Sequence, residues 1–473
     1  MRLLHLADLH LGTENYGRPD PQTGLNSRLF DFLRCFDAAV DCAIEREVDL
    51  VVFAGDAYRS REPNPTHQRE FARRIHRLVS SGIPVLLVAG NHDLPSLPAK
   101  ASSLDVFSAL EVPGVTVVRQ PQVLDIETRS GVVRCACLPA LPRAALLEDG
   151  DRRLDADALR RKLSRRLARR LADLAAEAGD SLLQEAHGRF RLRGRRSPAS
   201  SLRSQGYFGG VGSADEVGGE VPLSPSILVA HVAVEGAVVG SEVSLIGGAE
   251  PMVPLEAVAD NRYAYVALGH VHRFQELSAG PPPVVYCGSL DRVDFGEEGQ
   301  KKGFVVADIE AGEAAPPNGW RASYEFVPTP ARRFVTIDVE ATEPDATAEI
   351  ERAAAAAQVA DAVVRLRVTM DEEQPLDEDR VRAALREAFW ALPMQKQVRA
   401  AGATPRAPEV AERMTDPLAA LDEYLNLREV SQQRARALRE KAQALLADLR
   451  REAEPAFSAS QRDLELASGQ DSE

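Results

Sequence analysis

Five short motifs punctuate the sequence in order: Asp8-x-His10, Gly55-Asp56, Gly90-Asn91-His92-Asp93, His231 between Ala230 and Val232, and Gly269-His270-x-His272. Their carboxylates, imidazoles and single amide oxygen make a ligand set for two divalent cations. This mixture suits Mn²⁺, Fe²⁺ or Zn²⁺ better than Ca²⁺, and the absence of thiolates argues against a structural zinc site. Asp8 and His10, two apart in an extended turn, can grip one ion side by side. Asp56 is the natural bridge, because a carboxylate has two oxygens to share. Asn91 offers a carbonyl without adding negative charge near a phosphate. His231 and His270 would complete the ion that Asn91 holds, and His272 the ion held by Asp8 and His10. Two such ions about 3.5 to 4 Å apart clamp a phosphodiester and lower the pKa of a bound water from about 15.7 toward about 7. The chemistry indicated is therefore metal-assisted phosphoester hydrolysis. His92 is spare in this count and is assigned to proton donation or charge stabilisation in the transition state, a task for a group that titrates near working pH. Asp93 is expected to orient that imidazole or its loop.

Each motif arrives just after an apolar run that reads as a buried strand: Leu3 to Ala7, Leu50 to Ala54, Val85 to Ala89, Ile227 to Ala230 and Tyr265 to Leu268. All five would then sit on loops along one rim of a sheet. Singly they are weak, since Gly-Asp is ordinary turn chemistry and a His-x-His pair is more often structural. Their joint placement after strands meets the geometric demands of a site. Between them, Phe30, Leu33, Phe36, Ala39, Val40 and Ala43 recur at helical spacing, as do Phe71, Ile75, Leu78 and Val79. Strand and helix in alternation predict an α/β layer. The remaining histidines have plainer readings: His5 in the first strand's core, His67 and His76 on a helix, and His187 in an insertion.

The chain of 473 residues is 44% hydrophobic and carries a formal charge of −14. That length implies two to four domains of about 100 to 200 residues each. The acidic balance alone argues against a polyanionic partner, but bound cations or a local basic face can outweigh it. Five cysteines form no C-x-x-C pair, which fits a reduced, cytoplasmic setting. No run approaches the ~18 apolar residues that a membrane span needs.

From Asp157 to Ala178, Leu159, Leu163, Leu167, Leu171 and Leu174 form a stripe, with Arg160, Arg161, Lys162, Arg165, Arg166, Arg169 and Arg170 on the other faces. This basic amphipathic helix reads either as a solvated surface helix or as a nucleic-acid contact. Residues 185–226 are rich in Arg, Gly and Ser, show neither period, and are expected to be a mobile insertion. Their Gly206 to Gly212 run lacks the strand and helix of a nucleotide loop, and no G-x-x-x-x-G-K-[ST] occurs, so no ATP site is expected. Strands resume from Ile227 through Val327, and Pro328 and Pro330 mark a boundary. Beyond it, strand 334–339, helix 346–360, strand 363–368 and helix 379–391 predict a small α/β domain over 330–405. Two helical segments follow within 416–452, with stripes that include Leu418, Leu421, Leu425, Leu438, Leu445, Leu446 and Leu449. Their apolar faces need cover, from their own protein or from a partner. The tail 455–473 is expected to be disordered.

The motif series resembles that of the calcineurin-like metallophosphoesterase superfamily over residues 1–327. Within it, Leu6-Ala-Asp8-Leu-His10-Leu-Gly12 and the segment Gly288 to Phe304, which contains Arg292, Asp294, Glu297, Glu298 and Lys302, are similar to the SbcD-type DNA repair nucleases. The resemblance implies a two-sheet sandwich flanked by helices, a small α/β capping domain at 330–405, and C-terminal helices at 416–452 that dock on an SMC-like ATPase, SbcC. It further implies a homodimer acting at the nucleoid as a Mn²⁺-dependent 3′-to-5′ exonuclease and endonuclease in double-strand-break processing. Asp8, His10, Asp56, Asn91, His231, His270 and His272 would hold the metals, with His92 catalytic. Where a related branch places a histidine three residues after the bridging aspartate, this chain has Arg59, which could grip a phosphate oxygen instead. Two other readings stand beside this one: a phosphoesterase for a nucleotide, small phosphodiester or phosphoprotein, and a non-enzymatic DNA-end tether.

Overall fold

The structure is a computed structural model that describes residues 1–95, 100–148, 150–151, 154–194, 224–240, 250–278, 280–312, 318–371 and 374–399, with scattered helical positions between 418 and 443. The chain divides into two compact units, Met1–Met370 with Gln374–Gln397, and Asp371–Glu373 with Val398–Glu473. In the second unit Arg399 pairs with Asp371, and helical turns occur at Leu418, Leu421, Leu425 and between Arg434 and Gln443. Most of the segment expected to be helical over 416–452, and all of the tail 455–473, lie outside the described residues.

The first unit begins β1 (Arg2–Leu6), α1 (Ser27–Glu45), β2 (Leu50–Phe53), α2 (Pro65–Ser80), β3 (Val85–Val88), α3 (Asp105–Ala109) and β4 (Val115–Val118). Every residue of β2 and β3 is buried, as parallel strands covered on both faces require. Asn26 and Asn64 cap α1 and α2 by accepting from Arg28 N and His67 N, and Pro65 occupies the first turn of α2. Then come β5 (Gln122–Thr128), β6 (Gly131–Leu138), α4 (Arg143–Leu146), α5 (Ala156–Gly194), β7 (Ser226–His231), β8 (Tyr265–Gly269), β9 (Gln275–Glu276), β10 (Val284–Tyr286), β11 (Gly303–Ala311) and β12 (Trp320–Pro328).

These strands form two six-stranded sheets, ordered β12-β11-β1-β2-β3-β4 and β5-β6-β7-β8-β10-β9. Leu3, Leu50, Val52, Leu86 and Val88 of the first meet Cys135, Cys137, Ile227, Val229 and Ala267 of the second in a shared core. Period-two alternation sends Leu4, Leu6, Val51, Phe53, Val85 and Leu87 to the opposite face, where they pack on Phe32, Phe36, Phe71 and Ile75 of α1 and α2. On the outer face of the second sheet, Ala136, Leu138, Leu228, Val266 and Leu268 receive the leucine stripe Leu159, Leu163, Leu167, Leu171 and Leu174 of α5. The result is helix, sheet, sheet, helix, as the resemblance implies.

Several expectations change. The motifs do not share one sheet's rim: β1, β2 and β3 belong to the first sheet and β7 and β8 to the second. His231 is itself the last residue of β7 rather than a loop residue. Helix α5 runs on to Gly194, so its helix takes in the first ten residues of the segment read as a mobile insertion. Leu, Gln, Glu, Ala and Arg there are strong helix formers. Residues 195–223 lie outside the described residues.

A third sheet contains β13 (Phe334–Glu340), α6 (Ala346–Ala356), β14 (Val363–Asp371), α7 (Glu378–Ala384), β15 (Trp390–Ala391) and β16 (Gln395–Arg399), with strands β13, β14 and β15 parallel and β16 pairing β14. The helix expected over 379–391 stops at Ala384, because Trp390 and Ala391 pair instead with Val363 and Val364 and Phe389 and Trp390 pack around Phe334 and Val363. Aromatic residues favour such pleated, half-buried positions.

Balanced buried charge ties this sheet to the sandwich. Arg332 Nε and Nη2 donate to the two oxygens of Asp31 at 2.6 and 2.5 Å, and its guanidinium lies 3.5 Å over the Phe389 ring. Asp31 also accepts from the fully buried Arg28 at 2.7 Å, which lies 3.4 Å from Asp291. Removing one member of such a cluster strands the others in a low dielectric. Arg332→Met should therefore cost about 3 to 5 kcal/mol. Denaturant titration checks this, and a midpoint equal to that of the unmodified protein would contradict it.

Candidate metal centre

The loops after β1 and β2 are zipped together along their backbones. Asp8 N donates to Gly55 O at 2.9 Å, His10 N to Asp56 O at 3.1 Å and Leu11 N to Ala57 O at 3.0 Å. The turn inward requires left-handed backbone at Asp8 (φ 51°), His10 (φ 47°), Asp56 (φ 58°) and His270 (φ 100°). Non-glycine residues adopt that region at a cost of about 1 to 3 kcal/mol each and cluster at functional sites. Two glycines make room: a Cβ on Gly55 would meet His231 Nδ1 at 2.1 Å, and one on Gly90 would meet Asp56 Oδ1 at 2.1 Å.

All seven residues proposed as ligands converge. His10 Nε2 and His272 Nε2 face each other at 2.9 Å, and together with Asp8 they form one group whose potential donor atoms lie within 4.8 Å of one another. Asp8, Asp56 and His231 form a second such group. Asn91 Oδ1 is 2.9 Å from His231 Nε2 and 3.3 Å from His270 Nδ1. Asp56 Oδ2 lies between the two clusters, 3.7 Å from His10 Nε2 and 3.5 Å from His231 Nε2. That is the position a bridging carboxylate needs.

The far side of three of these imidazoles is engaged, which fixes their tautomers. His231 Nδ1 donates to Ala54 O at 2.8 Å, His272 Nδ1 to Glu297 Oε1 at 2.6 Å, and His270 Nε2 to Glu250 Oε2 at 3.0 Å. Each leaves the opposite nitrogen aimed inward, the arrangement by which imidazoles are oriented toward a cation that takes the place of a proton there. Imidazole nitrogens and carboxylate oxygens directed at common points fit a pair of divalent cations.

Electrostatics favour the same conclusion. Burial pushes the Asp8 carboxyl up to about 6, against the opposing pull of His231 and His272. For Asp56 burial also opposes ionisation, yet His231, His10 and His92 hold it well below the carboxylate range. Reciprocally, the Asp56 carboxylate overrides burial at His231 and lifts it to about 10. Burial, then the His272 charge, keep His10 neutral.

His92 differs from the ligand residues. It is only part-buried, its backbone N donates to Asp56 Oδ1 at 2.8 Å, and its Nδ1 donates to Arg59 O at 2.8 Å. Its Nε2 is thus the end not held by the backbone. Distance alone does not separate it from the ligands, since it groups with His10 and Asp56; its exposure and its backbone-held Nδ1 do. Burial lowers its pKa, partly offset by Asp56. Arg59 contributes through its main chain, accepting from His92 and donating from N to Leu11 O at 3.0 Å. Asp93 does not touch the His92 ring. It accepts from Gly90 N at 2.9 Å, Ala57 N at 3.2 Å and Tyr58 N at 3.3 Å, binding the two loops together. His5 is a core residue, between Tyr265 OH at 3.0 Å and Leu268 O at 3.2 Å.

Sequence reasoning gave no role to Glu297, Lys302 or Glu250. Glu297 is fully buried and carries His272 on one oxygen and Lys302 Nζ at 2.9 Å on the other. Lys302 also donates to His272 O at 3.0 Å and Ser289 Oγ at 2.8 Å. The only signal was a Glu and a Lys in a glycine-bearing segment after the last histidine.

Residues 1–152 match the family model described as Metallophos, calcineurin-like phosphoesterase. The chain is 27% identical over 316 residues to the SbcD component of the nuclease SbcCD of Bacillus subtilis, a match covering 67% of this chain and 68% of that protein. It is 35% identical over 104 residues to the DNA double-strand break repair protein Mre11 of Archaeoglobus fulgidus, covering 22% of each. A protein of the same description from Halobacterium salinarum is 37% identical over 109 residues, 23% of this chain and 26% of that one.

Two outcomes follow for Glu297. Replacing an oriented imidazole's carboxylate partner weakens cation binding by about 10 to 100-fold, so Glu297→Gln should show that loss in titration calorimetry with Mn²⁺. Burial opposes the Glu297 charge, but Lys302 and His272 hold its carboxyl below its ordinary value of 4.5. A depressed carboxylate stabilises the fold above its unfolded pKa, and that contribution is lost as pH falls through the folded one. The gap in unfolding midpoint between the unmodified protein and Glu297→Gln should be widest near neutrality and close below pH ~4. A gap independent of pH would remove Glu297 from this role.

Proposed function

We propose that this chain, which carries a calcineurin-like metallophosphoesterase domain, is a metal-dependent DNA nuclease that hydrolyses phosphodiesters at DNA ends during double-strand-break processing. One observation carries the reading: Asp8, His10, Asp56, Asn91, His231, His270 and His272 direct their ligand atoms at two adjoining points, with His92 at the edge. The matched proteins, a nuclease subunit aligned over two thirds of this chain and DNA double-strand break repair proteins aligned over less, support DNA as the substrate.

Bound cations, Mn²⁺ with Fe²⁺ or Zn²⁺ as the other candidates, would supply the activated water and neutralise the phosphate. The chain's own residues do the rest. Asp56 would span both ions, and Asn91 would add a neutral oxygen where a further carboxylate would repel the substrate. His92, its Nδ1 proton fixed on Arg59 O, presents Nε2 to the departing oxygen and can deliver a proton there. Arg59 acts by holding that ring, and as a part-buried residue at the mouth it can also offer its guanidinium to the phosphate.

The domain assignment belongs to the same proposal: nuclease domain 1–327, DNA-capping domain 330–405, and a segment at 416–452 that docks an SMC-like ATPase of the SbcC kind. So do 3′-to-5′ exonuclease and endonuclease activity, a homodimer, and a cytoplasmic, nucleoid-associated location. No helix among the described residues is long and apolar enough to cross a membrane.

The test is an end-labelled DNA duplex with Mn²⁺. Asp56→Asn should lose both cation binding and cleavage, and His92→Gln should bind cations yet cleave about 10² to 10⁴-fold more slowly. Full activity in either variant contradicts the role given, and a small phosphodiester or phosphoprotein turned over far faster than DNA contradicts the substrate. Removal of residues 410–473 should abolish co-purification with the ATPase while leaving cation binding intact; retained co-purification would place the docking segment elsewhere.

A further inference from the structure

The metal centre makes no use of the basic face of α5. In a chain of charge −14, this helix gathers Arg160, Arg161, Lys162, Arg165, Arg166, Arg169 and Arg170. Three have partners in the fold. Arg160 bonds to Asp157 at 3.2 Å, Lys162 to Asp151 at 2.7 Å, and Arg166 to Leu146 O at 2.7 Å and to the carboxylates of Asp151 and Glu148. Arg161, Arg165, Arg169 and Arg170 are exposed and make no ion pair among the described residues.

Arg161, Arg165 and Arg169 are spaced four apart and so share one face. Like charges at that spacing cost about 0.2 to 0.5 kcal/mol per pair. The row is therefore a local concentration of positive charge, which Glu148, Asp173 and Glu235 in the adjoining grooves answer without pairing to it. An external polyanion would pair with it.

Topology places the row. Helix α5 joins the parallel strands β6 and β7, so it runs back along the sheet and begins at the end where β7 delivers His231. Contacts agree: Arg166 reaches Leu146 O just beyond β6, and Arg161 and Arg165 flank Met252 and Pro254, close in sequence to Glu250, the partner of His270. Farther along the helix, Gly179 lies against Arg262, which precedes β8. The arginines thus stand toward the metal rim, while exposed Asp173 and Glu177 stand toward the far end.

The chemistry of the row selects its ligand. Arginine forks pair two-pronged with phosphate. Residues 156–179 contain no aromatic side chain, so there is no platform on which unstacked bases of a single strand could lie. A row spanning about 12 Å at a rise of about 1.5 Å per residue runs beside about four phosphates of a duplex strand, spaced about 3.4 Å along the axis.

We propose that Arg161, Arg165 and Arg169, with Arg170 beside them, form a contact surface for the phosphate backbone of double-stranded DNA, holding the duplex as it leaves the metal rim. This rests on the nuclease reading above. The test compares the full-length protein with the triple variants Arg161→Gln/Arg165→Gln/Arg169→Gln and Arg161→Lys/Arg165→Lys/Arg169→Lys. Fluorescence anisotropy in EDTA measures binding of duplex and single-stranded DNA from 50 to 200 mM salt, alongside Mn²⁺-dependent hydrolysis of bis(p-nitrophenyl) phosphate. If all three side chains release counterions, the duplex affinity of the unmodified protein should fall about 40-fold more over that range than that of the glutamine variant. The lysine variant should keep the steeper dependence, and small-diester turnover and unfolding midpoint should not fall in either variant. An unchanged salt dependence in the glutamine variant, or a change confined to single strands, overturns the surface alone. Failure of the unmodified protein to bind or degrade duplex while it still turns over the small diester overturns the nuclease reading as well.

Discussion

Asp8, Asp56, Asp93 and Glu297 bring four carboxyl groups into a region where none is more than 2% exposed, and in so low a dielectric each needs its own compensation. The structure supplies it piecemeal. Asp93 takes three backbone N–H groups, Glu297 takes Lys302 and His272, Asp8 takes His270 N, and Asp56 takes His92 N with two imidazoles nearby. Burial raises Asp93 to about 7 and Asp8 to about 6, so this compensation is incomplete at the very groups beside the ligand cluster. Bound divalent cations would complete it. The left-handed backbone at Asp8, His10, Asp56 and His270 is the geometric expression of the same demand, since only such turns bring side chains from several strand ends to one place.

A second buried charge cluster does structural work. Arg28, Asp31, Asp291 and Arg332 balance one another where the third sheet meets the sandwich, with Phe334, Phe295 and Tyr16 in edge contact alongside at 5.0 to 5.5 Å. Here every charge has an opposite partner, the acids facing arginines rather than one another. The contrast separates a candidate binding site from a fastening, although both combine acids and bases in the interior.

Much of this is legible in the sequence because the relevant signals are local. The runs before Asp8, Asp56, Asn91, His231 and His270 are short, apolar and followed by turn chemistry, and the ligand types state their own purpose. What escapes such reading is non-local. Nothing near His231 tells that β7 lies in a different sheet from β1. Asp93 looks like a partner for the adjacent histidine, yet backbone donors from a loop 36 positions away claim it. Glu297 becomes significant only once the fold brings its carboxylate to His272 Nδ1, 25 positions away. The end of α7 is hidden because Phe389 and Trp390 fit a helical stripe equally well, and tertiary pairing with Val363 decides the matter.

That the donors come from two sheets has a kinetic meaning. His270 N reaches Asp8 across 262 positions of chain, and contacts of such separation form only after long loops have been closed. Residues 1–152, the stretch matched by the phosphoesterase family model, hold Asp8, His10, Asp56 and Asn91 but none of the three later ligand histidines. A nascent chain released at that length would carry half a site. Capture of cations at this candidate site would thus follow closure of the second sheet on the first, as a latch on a finished sandwich rather than a nucleus for it. A ligand at about a hundred times its Kd adds about 2.7 kcal/mol to whatever state it binds, and here only the completed fold can collect it.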